Sequence, residues 1–303
     1  MRCPHRTTRV ASSPVDVDRA RDHEIHTAVH KTRKSACLVQ DWSPAGQDQF
    51  TVRLRPSKAV DSYYRPQADT ASYVHDVMTL GEAVRQVGLL LPHVAYGVPA
   101  DWSFIMTGLD ADIGGPASAP HTDTAVEVLT SCRPLRAASG ALRSMVLDLD
   151  FLEHDRVFAR GQGRLTVVSP QLYRRLRPSA GPASSYVSPL PRLACAAVGR
   201  DDPADVVLGR DPSGGLRIAV DTGHPVLFDH PGDHLPGMVA LEAARQAHVL
   251  ATGRQPRSFN AEFSYYIELQ PDAEVAIGVT GPTVGVDIRQ DGRTAIHLTM
   301  TSP

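Results

Sequence analysis

Acid–base side chains are concentrated in one short stretch, Phe228 to His248 (FDHPGDHLPGMVALEAARQAH): Asp229, His230, Asp233 and His234 stand in a loop of Pro and Gly, and Glu242 follows within an apolar run. Met238, Val239, Ala240, Leu241, Ala243, Ala244, Ala247 and Val249 make that run apolar nearly all round, which predicts a buried helix starting near Gly237. A carboxylate carried into such a setting must find a partner or give up its charge. Glu242 is therefore the candidate base or orienting acid, with burial raising its pKa towards neutrality; a salt bridge to Arg245, one turn along, is the plainer alternative. Pro236 and Gly237 leave main-chain N–H groups facing the loop, so those of Gly237 and Met238 are candidates to hold a carbonyl oxygen. His230 and His234 are candidates to polarise that carbonyl or shuttle a proton, against a role in bonding the loop together. The HxxxH spacing lies in a loop and not on one helical face, so no metal is expected on these histidines with Asp229 and Asp233.

The elements that must position this stretch fall into a repeated order. After a polar arm, 1–24, come strand-like HKTRKSACLVQDW and FTVRLRPS, then an apolar helix, MTLGEAVRQVGLLL, ended by Pro92. WSFIMTGLDADI, TAVEVLTSCRPL, LRSMVLDLDFLEHD and GRLTVVS read as further strands. A Pro/Ser/Ala-rich connection, 173–204, separates this first unit, 25–172, from a second, 205–303. There DVVLG, LRIAV, the loop and helix, SFNAEFSYYIEL, EVAIGVTG, GVDIRQDG and TAIHLTM repeat the order. Glu82, Ala83, Arg85 and Gln86 echo Glu242, Ala243, Arg245 and Gln246, a shared E-A-x-R-Q that marks a duplication. The class is α+β, with two units packed as a pseudo-symmetric pair. Trp102, Phe104 and Phe263 to Ile267 are expected in the strands' core face, against lining a tunnel.

Composition narrows the function. A net charge of −2 gives no global attraction to nucleic acid or to anionic membrane. No run approaches the length of a membrane helix and the N-terminus lacks an apolar signal core, so a cytoplasmic protein is expected. Cys3, Cys37, Cys132 and Cys195 lie far apart, with neither zinc nor disulfide spacing. GxGxxG, GxxxxGK[ST] and GxSxG are all absent from the chain, which predicts no nucleotide or redox cofactor and argues against a hydrolase elbow.

LPGMVALEA resembles the corresponding segment of hotdog-fold acyl-carrier-protein dehydratases, in which a sheet wraps a long helix. That resemblance implies a catalytic pair of histidine and glutamate, matched by Glu242 and by His230 or His234; the loop departs from the dehydratase spacing and leaves both histidines open. VHKTRKSACLVQDW, EAVRQVG and above all DHLPGMVALEAARQ are similar to the A-factor biosynthesis (AfsA-like) family of actinomycetes, a tandem hotdog. The resemblance implies transfer of a β-ketoacyl group from the phosphopantetheine of acyl carrier protein to the hydroxyl of dihydroxyacetone phosphate. The product would lead to a γ-butyrolactone, butenolide or furan signalling molecule, and a homodimer is compatible with such a unit. A dehydratase or thioesterase, or a binder without chemistry, is the competing reading. A phosphorylated acceptor needs cations: Arg85 and Arg245 hold equivalent helix positions, with Gln246 beside the latter, and Lys58 and Arg65 flank the first helix across Tyr63 and Tyr64. Glu82 and His75 are the first unit's equivalents, read chiefly as scaffold.

Overall fold

Residues of alternating polarity carry most of the chain into antiparallel strands. The computed structural model describes residues 23–55, 62–64, 76–114, 126–178 and 185–302. In the first half lie β1 (Val39–Gly46), β2 (Gln49–Leu54), β3 (Ser103–Asp112), β4 (Glu127–Arg136), β5 (Leu142–Glu153) and β6 (Arg156–Val168). In the second lie β7 (Leu208–Arg210), β8 (Leu216–Ile218), β9 (Ser258–Phe263), β10 (Glu274–Thr280), β11 (Thr283–Gln290) and β12 (Arg293–Thr301). They form one sheet in the order β1-β2-β4-β5-β6-β3-β9-β12-β11-β10-β8-β7. The order 1-2-4-5-6-3 is thus repeated as 7-8-10-11-12-9, and the halves join at β3 and β9, where Leu109 pairs with Ala261 and Asp110 with Asn260.

Each half wraps one helix, Val77–Val94 in the first and Gly237–Thr252 in the second. This is the duplicated α+β unit that the repeat predicts, in the tandem hotdog form that the family resemblance implies. Along β5, Met145, Leu147, Leu149 and Phe151 are buried and the residues between them are not, so one face of the pleat turns to the core. The second helix is buried without a break from Val239 to Val249, which is why it shows no polar stripe. The first lies so close to β6 that a Cβ built on Gly161 would sit 2.4 Å from Val84 Cγ2. Gly161→Ala should therefore cost about 1–3 kcal/mol by overpacking, read as a lower urea midpoint; an unchanged midpoint would mean that the helix stands further from the sheet.

Several boundaries differ from those predicted. The first helix runs on to Val94 with Pro92 in its last turn, since burial of Leu89, Leu90 and Leu91 holds the helix against the sheet beyond the proline. HKTRKSA is no strand: a 3-10 turn occupies Lys34–Ala36, and Leu38 N–H is taken by Gln86 Oε1 at 2.8 Å. The short helix Cys195–Val198 falls in the stretch predicted as a connection, and the matching turn of the second half, Pro203–Asp205, spans its end. They pack as part of the second unit. SYYIEL leaves the sheet after β9 and folds over the second helix's start, with Leu235 N donating to Ile267 O at 2.8 Å.

Candidate active site

Glu242 is buried to 2% exposure, but it has not lost its charge. Arg245 donates Nε to Oε2 (2.9 Å) and Nη2 to Oε1 (2.8 Å); Arg200 donates Nε to Oε1 (2.9 Å) and Nη2 to Oε2 (2.7 Å). Gln246 Nε2 adds a bond to Oε1 at 2.6 Å. Burial alone would raise this carboxyl, and the two guanidinium groups overcome it, holding Glu242 well below the usual carboxylate range. A base titrating near neutrality, the role expected of it on burial, is not what this environment makes. Arg245 also reaches the carbonyl oxygens of Val198 and Gly199 and Gln255 Oε1. Gln246 receives the N–H groups of Val207 and Leu208 and donates to Asp205 O. Neither Arg245 nor Gln246 lines the cavity described below, so both expected substrate contacts are corrected to framework: their donors are consumed by the fold.

The first helix repeats the arrangement. Arg85 donates Nε and Nη2 to Glu82 at 2.8 Å each, Gln86 Nε2 bonds Glu82 Oε1 at 2.7 Å, and Lys31 Nζ stands 3.2 Å from the same oxygen. Arg85 and Lys31 overcome burial and lower Glu82 to about 2. Lys31 thus occupies the place of Arg200, and sequence reasoning missed both. The available signal was short: Val29-His30-Lys31 and Val198-Gly199-Arg200 precede the paired 3-10 turns, and His30 and Gly199 both have positive φ, 55° and 64°.

Two differences separate the half-sites. The first helix is closed at its N-terminus by its own side chain, Asp76, which accepts from Met78 N (2.8 Å) and Thr79 N (3.4 Å). At the second, Pro236 provides no side-chain cap, so the N–H groups of Gly237 and Met238 keep the free valence of a helix start. Second, Arg200 is covered by Tyr63 of the first half, whose ring lies 4.5 Å from the guanidinium carbon, and Arg245 stays outside the cavity of about 650 Å³ that Lys31, Arg85 and Arg200 line. Arg85 Nη1 takes no part in the pair with Glu82.

That cavity lies between the halves. His30, Lys31, Glu82 and Arg85 come to it from the first, and His230, His234, Gly237, Met238 and Glu242 from the second. The loop above it is pinned at both ends. Asp229 accepts from Thr32 N (2.5 Å) and Arg33 N (3.2 Å), tying it to the first half. Asp233 accepts from Tyr173 Oη at 3.0 Å and from Arg177 Nε at 3.4 Å, and Arg177 is itself paired with Glu268.

The two histidines are thereby distinguished. His234 Nδ1 bonds Asp233 Oδ1 at 2.6 Å and its ring packs edge-on to Tyr266, so it belongs to the loop's fastening. His230 has Nδ1 3.8 Å from Asp229 Oδ2 and a side chain 57% exposed. Partial burial lowers its pKa below 6.5, with Arg85 and Lys31 adding to the effect and Asp229 opposing it. His230 therefore stands in the field of the first half's cations, across the seam. The carboxylate of Glu242, its expected partner, is instead bonded by Arg200, Arg245 and Gln246. Asp229 and Asp233 are turned to separate anchors, so the four loop side chains do not converge. Lys58, Arg65 and His75 lie outside the described residues.

The sequence model for the A-factor biosynthesis hotdog domain matches residues 14–169 and 185–263. A 2-oxo-3-(phosphooxy)propyl 3-oxoalkanoate synthase of Streptomyces coelicolor is 32% identical over 91% of this chain and 90% of its own length. One of the same description from Streptomyces virginiae is 34% identical over 80% of this chain and 82% of its own. Among solved structures, an acyl-ACP thioesterase from Bacteroides thetaiotaomicron superposes with a TM-score of 0.46 at 9% identity, over 84% of this chain and 97% of that one. Among the described residues no helix is long and apolar enough to cross a membrane.

Proposed function

The chain belongs to the A-factor biosynthesis hotdog family, and we propose that its seam cavity transfers a β-ketoacyl group from an acyl-carrier-protein thioester to the free hydroxyl of dihydroxyacetone phosphate. The relatives' description names an ester whose acid half is a 3-oxoalkanoate and whose alcohol half carries a phosphate. The observation that carries the reading is the juxtaposition, in one cavity, of an uncapped helix start on one half and the Lys31/Arg85 cation pair on the other.

The parts divide as follows. Lys31 and Arg85 receive the phosphate, two cations against the single charge of Glu82. The thioester carbonyl points its oxygen at Gly237 and Met238 N–H, where the helix dipole favours developing negative charge. Phe104, Met106, Phe263, Ile267 and Ile296 supply the apolar wall for the acyl chain. Neutral His230 takes the acceptor's hydroxyl proton as its oxygen bonds the carbonyl carbon. The tetrahedral oxyanion then collapses, the C–S bond breaks, and the thiolate leaving group recovers the proton from the imidazolium. Glu242 and Glu82 hold the two helices' cations in place and exchange no proton.

Incubation of the protein with a β-ketoacyl thioester, with and without dihydroxyacetone phosphate, tests this: ester forms only with the acceptor. Acceptor-independent release of free acid or of an enoyl product would replace the reading with a thioesterase or dehydratase. Lys31→Met should raise KM for dihydroxyacetone phosphate by roughly 10- to 100-fold, the loss of one charge-assisted bond, with little change in kcat. It should leave KM for unphosphorylated dihydroxyacetone unaltered. Equal effects on both acceptors would remove Lys31 from the phosphate site.

A further inference from the structure

A short helix beside the cavity buries nothing. Pro170–Leu176 has no buried residue, yet it is capped by Ser169, whose Oγ accepts Leu172 N–H at 3.2 Å, and is fastened from below. Tyr173, which lines the cavity, bonds Asp233 and packs edge-on to Tyr266. Arg177, just past its end, lies over the Tyr266 ring at 4.7 Å and pairs with Asp233 and Glu268. The polar underside of this helix is therefore spent on the loop that carries His230, and its outer side presents Leu172 (42% exposed) and Leu176 (51% exposed) with Arg174 and Arg175. Leucines four apart share one helix face, and a fold that pins such a face outward at a cavity mouth has left it for something else to cover.

Charge says what that is. Across the loop, the Thr32 and Arg33 backbone holds Asp229, and the side chains of Arg33 and Lys34 are exposed there. Cations thus bracket the loop on both sides in a chain whose net charge is −2. Asp229 and Asp233 of the loop, and Glu268 beneath it, are engaged by backbone N–H groups or by Arg177. A cationic rim around an apolar pair suits an acidic protein surface with a few exposed apolar side chains.

We propose that the outer face of Pro170–Leu176, with Arg33 and Lys34 opposite, docks the acidic carrier protein whose phosphopantetheine delivers the acyl thioester into the cavity. The proposal deepens the transferase reading and rests on it. Docking beside the loop places the carrier's arm over Gly237, and the pinning through Tyr173 and Arg177 couples a seated carrier to the position of His230.

The test compares two donors of the same β-ketoacyl group, one on purified holo acyl carrier protein and one on N-acetylcysteamine, with wild type, R174E/R175E and L172S/L176S. KM for the carrier-bound donor should rise about 10-fold or more in each variant, and in wild type it should rise with salt, as expected for a charged rim. Rates with the N-acetylcysteamine donor should stay at the wild-type level. Unchanged KM for the carrier-bound donor would overturn the docking surface, as would equal losses with both donors, or binding of the wild type to anionic phospholipid vesicles that R174E/R175E abolishes with no effect on carrier KM. Failure of wild type to form ester from either donor would instead sink the transferase reading itself.

Discussion

Glu242→Ala should lower the stability of the protein by about 3–5 kcal/mol, the usual cost of removing one partner from a buried ion pair. That is a large part of the roughly 5–15 kcal/mol that holds a domain together. Arg200 and Arg245 would lose four hydrogen bonds to the carboxylate, leaving two guanidinium groups, at 12% and 2% side-chain exposure, with no anion between them. Urea unfolding reads the loss as a lowered midpoint. The joint replacement of Glu242, Arg200 and Arg245 by methionine should recover much of it, because no uncompensated charge is then left buried. A single Glu242→Ala variant unfolding at the wild-type midpoint would show that the network is incidental.

The same carboxylates fix the response to acid. Glu242 and Glu82 titrate lower in the folded chain than their ordinary value of 4.5, Glu82 at about 2. The unfolded chain therefore binds protons first as pH falls. The stabilisation from both pairs is complete above about pH 4.5 and drains away as pH falls towards 2. Glu242→Ala should flatten that part of the stability curve, leaving Glu82 and the likewise lowered Asp233, Asp287 and Asp211 to shape the remainder.

The duplication was legible because E-A-x-R-Q recurs in two apolar helices, and the strand alternation gave the α+β class; the tandem hotdog came from the resemblance that DHLPGMVALEAARQ carries. The pairing of functional groups across the seam was not legible. Glu242 and His230 are neighbours in sequence, and reading along one chain segment joins them; the fold instead brings His230 to Lys31 and Arg85, some 150 to 200 positions away. Arg200 escaped notice because it sits in a Pro- and Asp-rich stretch that reads as linker, and its partner is far along the chain. The carboxylate pKa was misjudged for the same reason: burial is visible in a hydrophobic pattern, whereas a second guanidinium arriving from elsewhere is not. Asp76 shows the converse. An Asp ahead of an apolar run is a readable N-cap, and it marks the first helix start as already occupied, while the Pro-Gly of the second leaves that helix start without a side-chain cap.

His230→Gln should reduce kcat for ester formation by roughly 10²–10⁴-fold, the range for loss of a positioned general base, with no shift in the urea midpoint because the side chain is largely exposed and takes no short bond. The pH profile is the sharper measurement. Burial and the facing cations lower the imidazole below 6.5, so the neutral base persists through neutrality and is lost only on the acid side. Wild-type kcat/KM should therefore be level near pH 7 and fall along a limb below pH 6.5; in His230→Gln that limb should vanish along with the rate. His234→Gln separates the two histidines: with Asp233 deprived of its 2.6 Å partner, the loop loosens and KM for the donor rises, while the acid limb stays. If the limb disappears in His234→Gln and survives in His230→Gln, the base is His234 and the fastening role passes to His230. If it survives in both, the proton goes to neither, and the acceptor hydroxyl must lose it to a group on another wall of the cavity.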